Sequence, residues 1–397
     1  MAQSSKSKPR SKPEKPRPDF PLFPHAVGMW AKKVRGRMRY FGPWDDPQGA
    51  LKKWLDQKED LLAGRDPVER KPGLTLRELV NRFRSAKEDQ MIAGELNPRT
   101  YGSYVQSCDR LIAAFSRNRL VEEIKPDDFA KLRLTLSRKK DGSPRSPASL
   151  RGDVLNIRMI FQFGIDRELL KTKPRYGNAF DVPDRATLRR ARQAKGKRMF
   201  EAEELRHVIQ EADQPLRAML LLGINCGLGA TDLAHMPQSA IDLKRAWLDY
   251  PRVKTAVDRR CPLWTETAKA VQEAIASRPD PRDPADLGLV FLTRCGQRWV
   301  RSSSTGGAID AVACETNKLL KRLGLHRPGL GHYALRHTLQ TIGGAMRDQV
   351  AMNLIFGHVD GSMAGAYREH IEDEERRLLA IVNHVRSWVF PAKRKPR

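Results

Sequence analysis

Three Xaa-Pro pairs, Asn97-Pro98, Lys125-Pro126 and Ser146-Pro147, each stand at the head of a run whose apolar residues recur at helical spacing. Proline fixes φ and lacks an N–H, so it suits the first turn of a helix and breaks any later one. Each pair therefore predicts a helix start. Upstream, Leu76, Leu79, Val80 and Phe83 fall at i, i+3, i+4 and i+7, one face of a further helix. Tyr104, Val105, Cys108, Leu111, Ile112 and Phe115 point inward from the second helix, and Leu150, Val154, Ile157 and Phe161 from the fourth. Four helices over 75–172 make about 95 residues, enough for an independent unit. Arg145, Arg151 and Arg158 on this unit read equally as phosphate contacts or as ordinary surface charge.

The segments before it have a different grammar. Residues 1–18 alternate Lys, Arg, Pro and Ser with no apolar residue after Met1, which predicts a disordered basic arm, solubilising or phosphate-contacting. Over 19–70, MWAKKV and RMRYFG flank Arg35-Gly36 as two strands about a tight turn, with Trp30, Val34, Met38 and Tyr40 alternating against Lys and Arg. A helix follows, with Pro47 in its first turn, Leu51, Trp54 and Leu55 on one face and Gly64 at its end. The exposed face of this small sheet is expected to carry Lys32, Arg35, Arg37 and Arg39. A two-stranded ribbon of that kind fits a DNA major groove. The bland alternative is a solvated basic face.

The whole chain has 397 residues, 73 Lys+Arg and 47 Asp+Glu, a formal charge of +26. Self-repulsion on that scale disfavours a compact state unless a polyanion is near, which makes nucleic acid the expected partner. No apolar run approaches the roughly 18 residues of a spanning helix, and no leader-like segment opens the chain, so a soluble, cytoplasmic protein without membrane partners is expected. The five cysteines are odd in number and form no C-x-x-C pair. They predict free thiols, with no metal site and no disulfide frame. Residues 173–198 form a basic linker, in which Arg189, Arg190, Arg192, Lys195 and Lys197 are candidates to follow a DNA backbone.

From 199 to 397 helical and strand patterns mix: AIDLKRAWLDYP and the segments around Val253 and Cys261 predict a small antiparallel sheet between helices. Near the end come Leu335-Arg336-His337-Thr338, then Gly357-His358, then Tyr367 nine residues after that histidine. Singly, each has a plain structural reading as an ion-paired Arg, a loop His and a core Tyr. In this order they resemble the C-terminal signature of the tyrosine recombinases, the phage-integrase family of DNA strand-exchange enzymes. The resemblance also covers the order of parts: a small arm-binding domain, a helical core-binding domain and a mixed catalytic domain.

The resemblance implies a covalent phosphotyrosine mechanism, and the residue chemistry suits it. Tyr367 would attack the phosphodiester, conserving its bond energy without ATP. Arg336 would neutralise the phosphate oxygens, because a guanidinium fork matches two of them. Lys254 lies eight residues before Pro262-Leu263, as the family's lysine does, and would be the acid for the departing 5′-oxygen. His358 would hydrogen-bond the phosphate, and Tyr333 or His337 would position or deprotonate. Two departures stand out. Tyr333, with His332 one step earlier, occupies a position usually held by His. Gly229 in Gly227-Leu228-Gly229-Ala230-Thr231-Asp232-Leu233 stands where the family carries its first arginine. Removal of one such donor typically costs about a hundred- to a thousandfold in rate. His235, Lys244 and Arg252 are nearby arginine substitutes or neighbours in sequence only.

The expected fold is thus multidomain, mainly α with small β-sheets: a sheet-plus-helix arm domain, a helical core-binding domain and a mixed α+β domain of integrase type. The expected function is a cofactor-free, site-specific recombinase acting on double-stranded DNA as a homotetramer on paired sites. Gly229 favours a second reading, an integrase-like DNA-binding protein that competes or regulates without cutting. A basic helical transcription regulator would explain the charge but not the ordered C-terminal residues. The last amphipathic segment, with Leu378, Leu379, Val382, Val385 and Val389 on a stripe, permits docking on its own domain or on a neighbour.

Overall fold

The computed structural model describes residues 12–64, 73–139, 141–302, 308–367 and 371–392. Most of the expected basic arm, residues 1–11, therefore lies outside the described residues. The chain divides into two compact units, Met1–Leu74 and Thr75–Arg397.

The first unit is a three-stranded antiparallel sheet, β1 (Phe23–His25), β2 (Met29–Val34) and β3 (Arg37–Pro43), followed by helix α1 (Pro47–Leu62). Arg35 and Gly36 both take positive φ, 50° and 82°, as a two-residue hairpin turn requires. Three details depart from the pattern read in the sequence. Strand β1 was not foreseen, because three residues around Pro24 carry too little alternation. Met38 and Tyr40 are exposed, and Phe41 is buried in their stead. The register explains this: Val34 pairs Arg37 and Lys33 pairs Met38, so Arg37, Arg39 and Phe41 lie on the helix side and Met38 and Tyr40 on the other, before a bulge shifts the pairing to Trp30 with Gly42. Leu55 is also exposed, and the helix buries Ala50, Trp54 and Leu61.

The second unit opens with α2 (Leu76–Ile92), α3 (Pro98–Phe115), α4 (Pro126–Leu136) and α5 (Pro147–Asp166). All three prolines sit at the first turn, as their sequence positions predicted. Thr75 and Glu78 close a capping box at the head of α2. Leu76, Leu79, Val80, Phe83, Leu111, Phe115, Leu150, Val154, Ile157 and Phe161 are buried. Two of the three arginines left open on this unit are held internally: Arg145 by Asp153, Arg158 by Asp181 at 2.6 Å. Arg151 is exposed.

The basic linker is partly helical. Asp184 caps α6 (Arg185–Gln193), and no residue of that helix is buried. Its sequence offered no apolar face, but the cap and the terminal arginines near its carbonyl end suffice for a short helix.

Beyond it, α7 (Ala202–Glu211), α8 (Leu216–Cys226) and α9 (Ala230–Ala234) precede a sheet of β4 (Ile241–Asp242), β5 (Trp247–Asp249) and β6 (Arg260–Pro262). Val253 lies in the turn between β5 and β6, not in a strand. Then come α10 (Thr265–Ala276), the hairpin β7 (Val300–Ser302) and β8 (Ala308–Asp310), α11 (Ala311–Arg322), α12 (His332–Gly343), α13 (Gln349–Phe356), α14 (Met363–Ala366) and α15 (Glu374–Val389). One core joins these elements, with the apolar α8 at its centre. Asn225 clamps the exit of β6: its amide donates to the Pro262 carbonyl at 3.0 Å and accepts from the Trp264 N–H at 2.8 Å. Helix α15 docks on this same core through Leu378, Ile381, Val382, Val385 and Val389, each worth about 1.5–3 kcal/mol of burial. Leu379 is exposed and off that stripe. Salt bridges from Arg377 to Asp348 and Arg386 to Glu266 fasten both ends of the helix. Among the described residues no helix is long and apolar enough to cross a membrane.

Candidate active site

Helix α12 begins at His332, and its period decides which of two neighbouring residues faces the site. His332 is buried, its Nε2 3.2 Å from the Met219 carbonyl of α8. Tyr333, Arg336 and His337 follow at i+1, i+4 and i+5, and Tyr333 packs edge-on to His337 at 5.3 Å. Tyr333 is exposed, so it stands over the site and His332 belongs to the core.

Arg336 is buried and held from three directions. Its guanidinium donates to the Gly227 carbonyl at 2.6 Å and to the Phe356 carbonyl at 2.9 Å, and lies 2.8 Å from His358 Nε2. Its face rests over the Phe356 ring at 4.3 Å, and that ring stacks on His358. Two helix ends make this cradle. Gly227 ends α8 and Gly357 ends α13, both in the left-handed conformation, so each helix presents free carbonyls at its terminus. At Gly227 a side chain is excluded: a Cβ would sit 2.7 Å from the Phe356 ring.

Burial pushes the Arg336 pKa down to about 10, assisted by the charge of Arg252, so the group stays cationic at neutral pH. Burial also lowers His358, followed by the charges of Arg336 and Arg252. A neutral His358 accepting from Arg336 at Nε2 carries its proton on Nδ1, leaving that N–H as a donor. His337 is lowered by burial, Arg198 and Arg336 in turn. His358 borders an open cleft of about 580 Å³ that Tyr250, Arg259, Asn353 and Gly365 also line.

Lys254 is exposed at the tip of the β5–β6 connection. The turn is set by Arg252, whose N–H donates to Val257 O at 2.8 Å and whose carbonyl accepts from Thr255 and Ala256. Tyr367 caps α14 and is 79% exposed, and among the described residues no hydrogen bond or ring contact engages its side chain. The structure thus brings Arg336 against His358 and Tyr333 against His337, and among the described residues no contact engages the side chains of Tyr367 and Lys254.

Gly229 lies at the start of α9 with an ordinary extended backbone, φ −89° and ψ 169°. Its N–H donates to Asp232 Oδ2 at 2.9 Å, and that same oxygen is 3.3 Å from Arg259 Nη1. Sequence reading missed Arg259, since a pairing between positions in different elements leaves no local pattern.

The expected DNA-contacting residues fall in two groups. Lys32 is a correction: its ammonium sits 4.7 Å over the Trp54 ring and donates to Pro21 O, on the helix side of the sheet. Arg39 and Arg37 pair with Lys32 and Val34 and share that side, while the open face presents Lys33, Met38 and Tyr40. Arg35 turns back to the Leu62 carbonyl at 3.4 Å. Arg189, Arg190, Arg192, Lys195 and Lys197 are all exposed along and after α6.

No family model and no curated protein matches this chain. Solved structures do. An integrase of the Tn1549 transposon in complex with transposon right end DNA superposes with a TM-score of 0.54 at 16% identity, covering 77% of this chain and 99% of that one. A lambda integrase dimer bound to a COC′ core site gives 0.53 at 16% identity, over 90% and 96% of the two chains. A lambda integrase tetramer bound to a Holliday junction gives 0.53 at 16%, over 90% and 99%.

Proposed function

We propose that this chain, which has the fold of the tyrosine recombinases, is a site-specific DNA recombinase that cuts and rejoins duplex DNA through a 3′-phosphotyrosine. The observation that carries the reading is the contact of 2.8 Å between Arg336 and His358, two residues of the C-terminal signature brought together by separate helices. A cationic guanidinium held against an imidazole that borders an open cleft suits a phosphate whose charge grows in the transition state. In the proposed step the Tyr367 oxygen bonds to phosphorus, the bond to the 5′-oxygen breaks, and Lys254 delivers a proton to that oxygen. Tyr333 and His337 orient the phosphate or receive the phenol proton. No cofactor enters. The proposed partner is double-stranded DNA, met by soluble protein in the cytoplasm, and the proposed active assembly is a homotetramer on paired sites. Lambda integrase supports this by analogy, being a tetramer on a Holliday junction.

Gly229 favours the second reading, a DNA-binding relative that does not cut. The two are separated by incubating the protein with nicked duplexes of randomised sequence, so that a cut piece diffuses away and the adduct is trapped. Protein covalently bound to DNA is expected for the wild type and absent for Tyr367→Phe, with equal DNA affinity in both. An adduct persisting in Tyr367→Phe moves the nucleophile to another residue. Absence of adduct in the wild type, with DNA binding intact, selects the second reading.

A further inference from the structure

Two arginines of the β5–β6 connection differ in their surroundings: Arg259 shares Asp232 with Gly229, and Arg252 lies against Gly357. Arg259 is buried in its own domain and engaged through Nε and Nη1, while its Nη2 is buried without a hydrogen-bond partner among the described residues. Its Nε donates to Tyr250 O at 3.0 Å, its Nη1 pairs with Asp232, its face lies over the Tyr250 ring at 5.2 Å, and its side chain is 0% exposed. Arg252 is not engaged in this way. Its backbone is fixed at the head of the Lys254 turn, and its stem runs along Gly357, where an added Cβ would meet Arg252 Cβ at 2.9 Å and Cδ at 3.5 Å. Gly357 directly precedes His358. Arg252 is half-buried as a residue, and among the described residues no hydrogen bond or ion pair engages its guanidinium.

We propose that Arg252 supplies the second guanidinium for the scissile phosphate, in place of the arginine that Gly229 lacks, and that Arg259 is a positioning residue that holds Asp232 and the hairpin. The inference rests on the recombinase reading above and names a further residue of that site. Arg252 lies against Gly357, next to the His358 that Arg336 touches, and an anion entering between two such cations relieves their repulsion. Burial does most to lower Arg336 and His358, and the charge of Arg252 acts in the same direction on both. A built-in excess of positive charge facing a phosphate needs no reorganisation when the reaction charge develops. Arg252 also stands two residues from Lys254, so one turn would bring both the charge clamp and the acid to the same phosphate.

The test uses the full chain and a nicked duplex whose sequence has been recovered from wild-type adducts of the randomised pool. The duplex is made in two forms, one with the normal scissile phosphodiester and one with a neutral methylphosphonate there. On the phosphodiester, Arg252→Ala is expected to slow adduct formation by about a hundredfold or more, and Arg252→Lys by less, since an ammonium lacks the fork. On the methylphosphonate, which has one charge fewer to neutralise, most of the Arg252→Ala loss is expected to vanish. Arg259→Ala is expected to lose equally on both substrates, as a residue acting through the fold does. An Arg252→Ala loss equal on both substrates, or a wild-type rate, overturns the proposal. Charge-selective loss in Arg259→Ala instead would assign the second guanidinium to Arg259. Should Arg252→Ala fail to fold, the same ratio is read from Arg252→Lys. No adduct from any wild-type preparation rejects the recombinase reading, and the proposal with it; an adduct lost in Tyr367→Phe keeps that reading whatever Arg252 does.

Discussion

Gly227 and Gly229 are two residues apart and behave oppositely. Gly227 has φ 66° and no room for a side chain, whereas Gly229 has φ −89° and an added Cβ would meet only Asp232 Oδ2, at 3.5 Å. A G-L-G string does not show which glycine is there for its backbone; the dihedrals do. Gly229→Ala should therefore change stability by less than about 0.5 kcal/mol, as a substitution without strain or burial does. Gly227→Ala should cost about 2 kcal/mol or more, because it combines left-handed strain with a clash against Phe356 and moves a carbonyl that holds Arg336. Gly229→Arg is the informative companion. If Arg252 supplies the second guanidinium, a third adds like charge, and adduct formation at equal folded fraction should stay level or fall. A hundredfold rise would show that the pocket is vacant in the wild type and that Arg252 does not fill it.

The helices were the legible elements, and α12 shows how far that legibility reached. LRHT in a helix puts Arg336 one turn beyond Tyr333 and His332, but apolar spacing alone does not say which of the two faces in. The packing of α12 on α8 decides it, burying His332 with Nδ1 unpartnered. The short strands were harder. Strands β7 and β8, three residues each, carry no alternation to read, and the hairpin register, with Val34 paired to Arg37 and Lys33 to Met38, puts Met38 and Tyr40 on the face opposite Val34 and Phe41 on its own. The contacts of Arg252 and Arg259 are tertiary and left no trace in spacing. The inward turn of His332 has a measurable consequence. Burial lowers its pKa below the ordinary 6.5, so the unfolded chain binds the proton more readily than the folded one. The neutral imidazole thus contributes stability that is present above 6.5 and lost as pH falls through the lower folded value. Urea midpoints should drop on the acid side of neutrality, and His332→Leu should flatten that drop even where it lowers the midpoint at pH 7. An unchanged slope in the variant would place the acid sensitivity on His337 or His358.

At the scale of the whole molecule, the charge of +26 is not confined to the candidate active site. Many arginines are neutralised internally: Arg110 and Arg145 share Asp153, Arg327 forks onto Glu204, and Arg260 bridges Glu374 and Glu375. These pairs add little to an external field. The stretch around α6 differs, since Arg189, Arg190, Arg192, Lys195 and Lys197 are exposed and, among the described residues, only Lys197 lies within ion-pair distance of a carboxylate, Glu201 at 3.8 Å. No side chain of α6 is buried, so replacing these five by Gln should leave the melting temperature nearly unchanged. If all five meet phosphates, each neutralises one and releases its counter-ions. The slope of log Kobs against log salt should then become shallower by ~4.5 in the quintuple variant, at about 0.9 per contact. Affinity would fall for every duplex alike, because phosphate contacts carry no sequence information. A variant with the wild-type slope would mean that this segment does not touch the backbone, and the DNA-binding charge would have to lie elsewhere on the chain. The open face of the N-terminal sheet, with Lys33 beside Met38 and Tyr40, is then the next surface to neutralise.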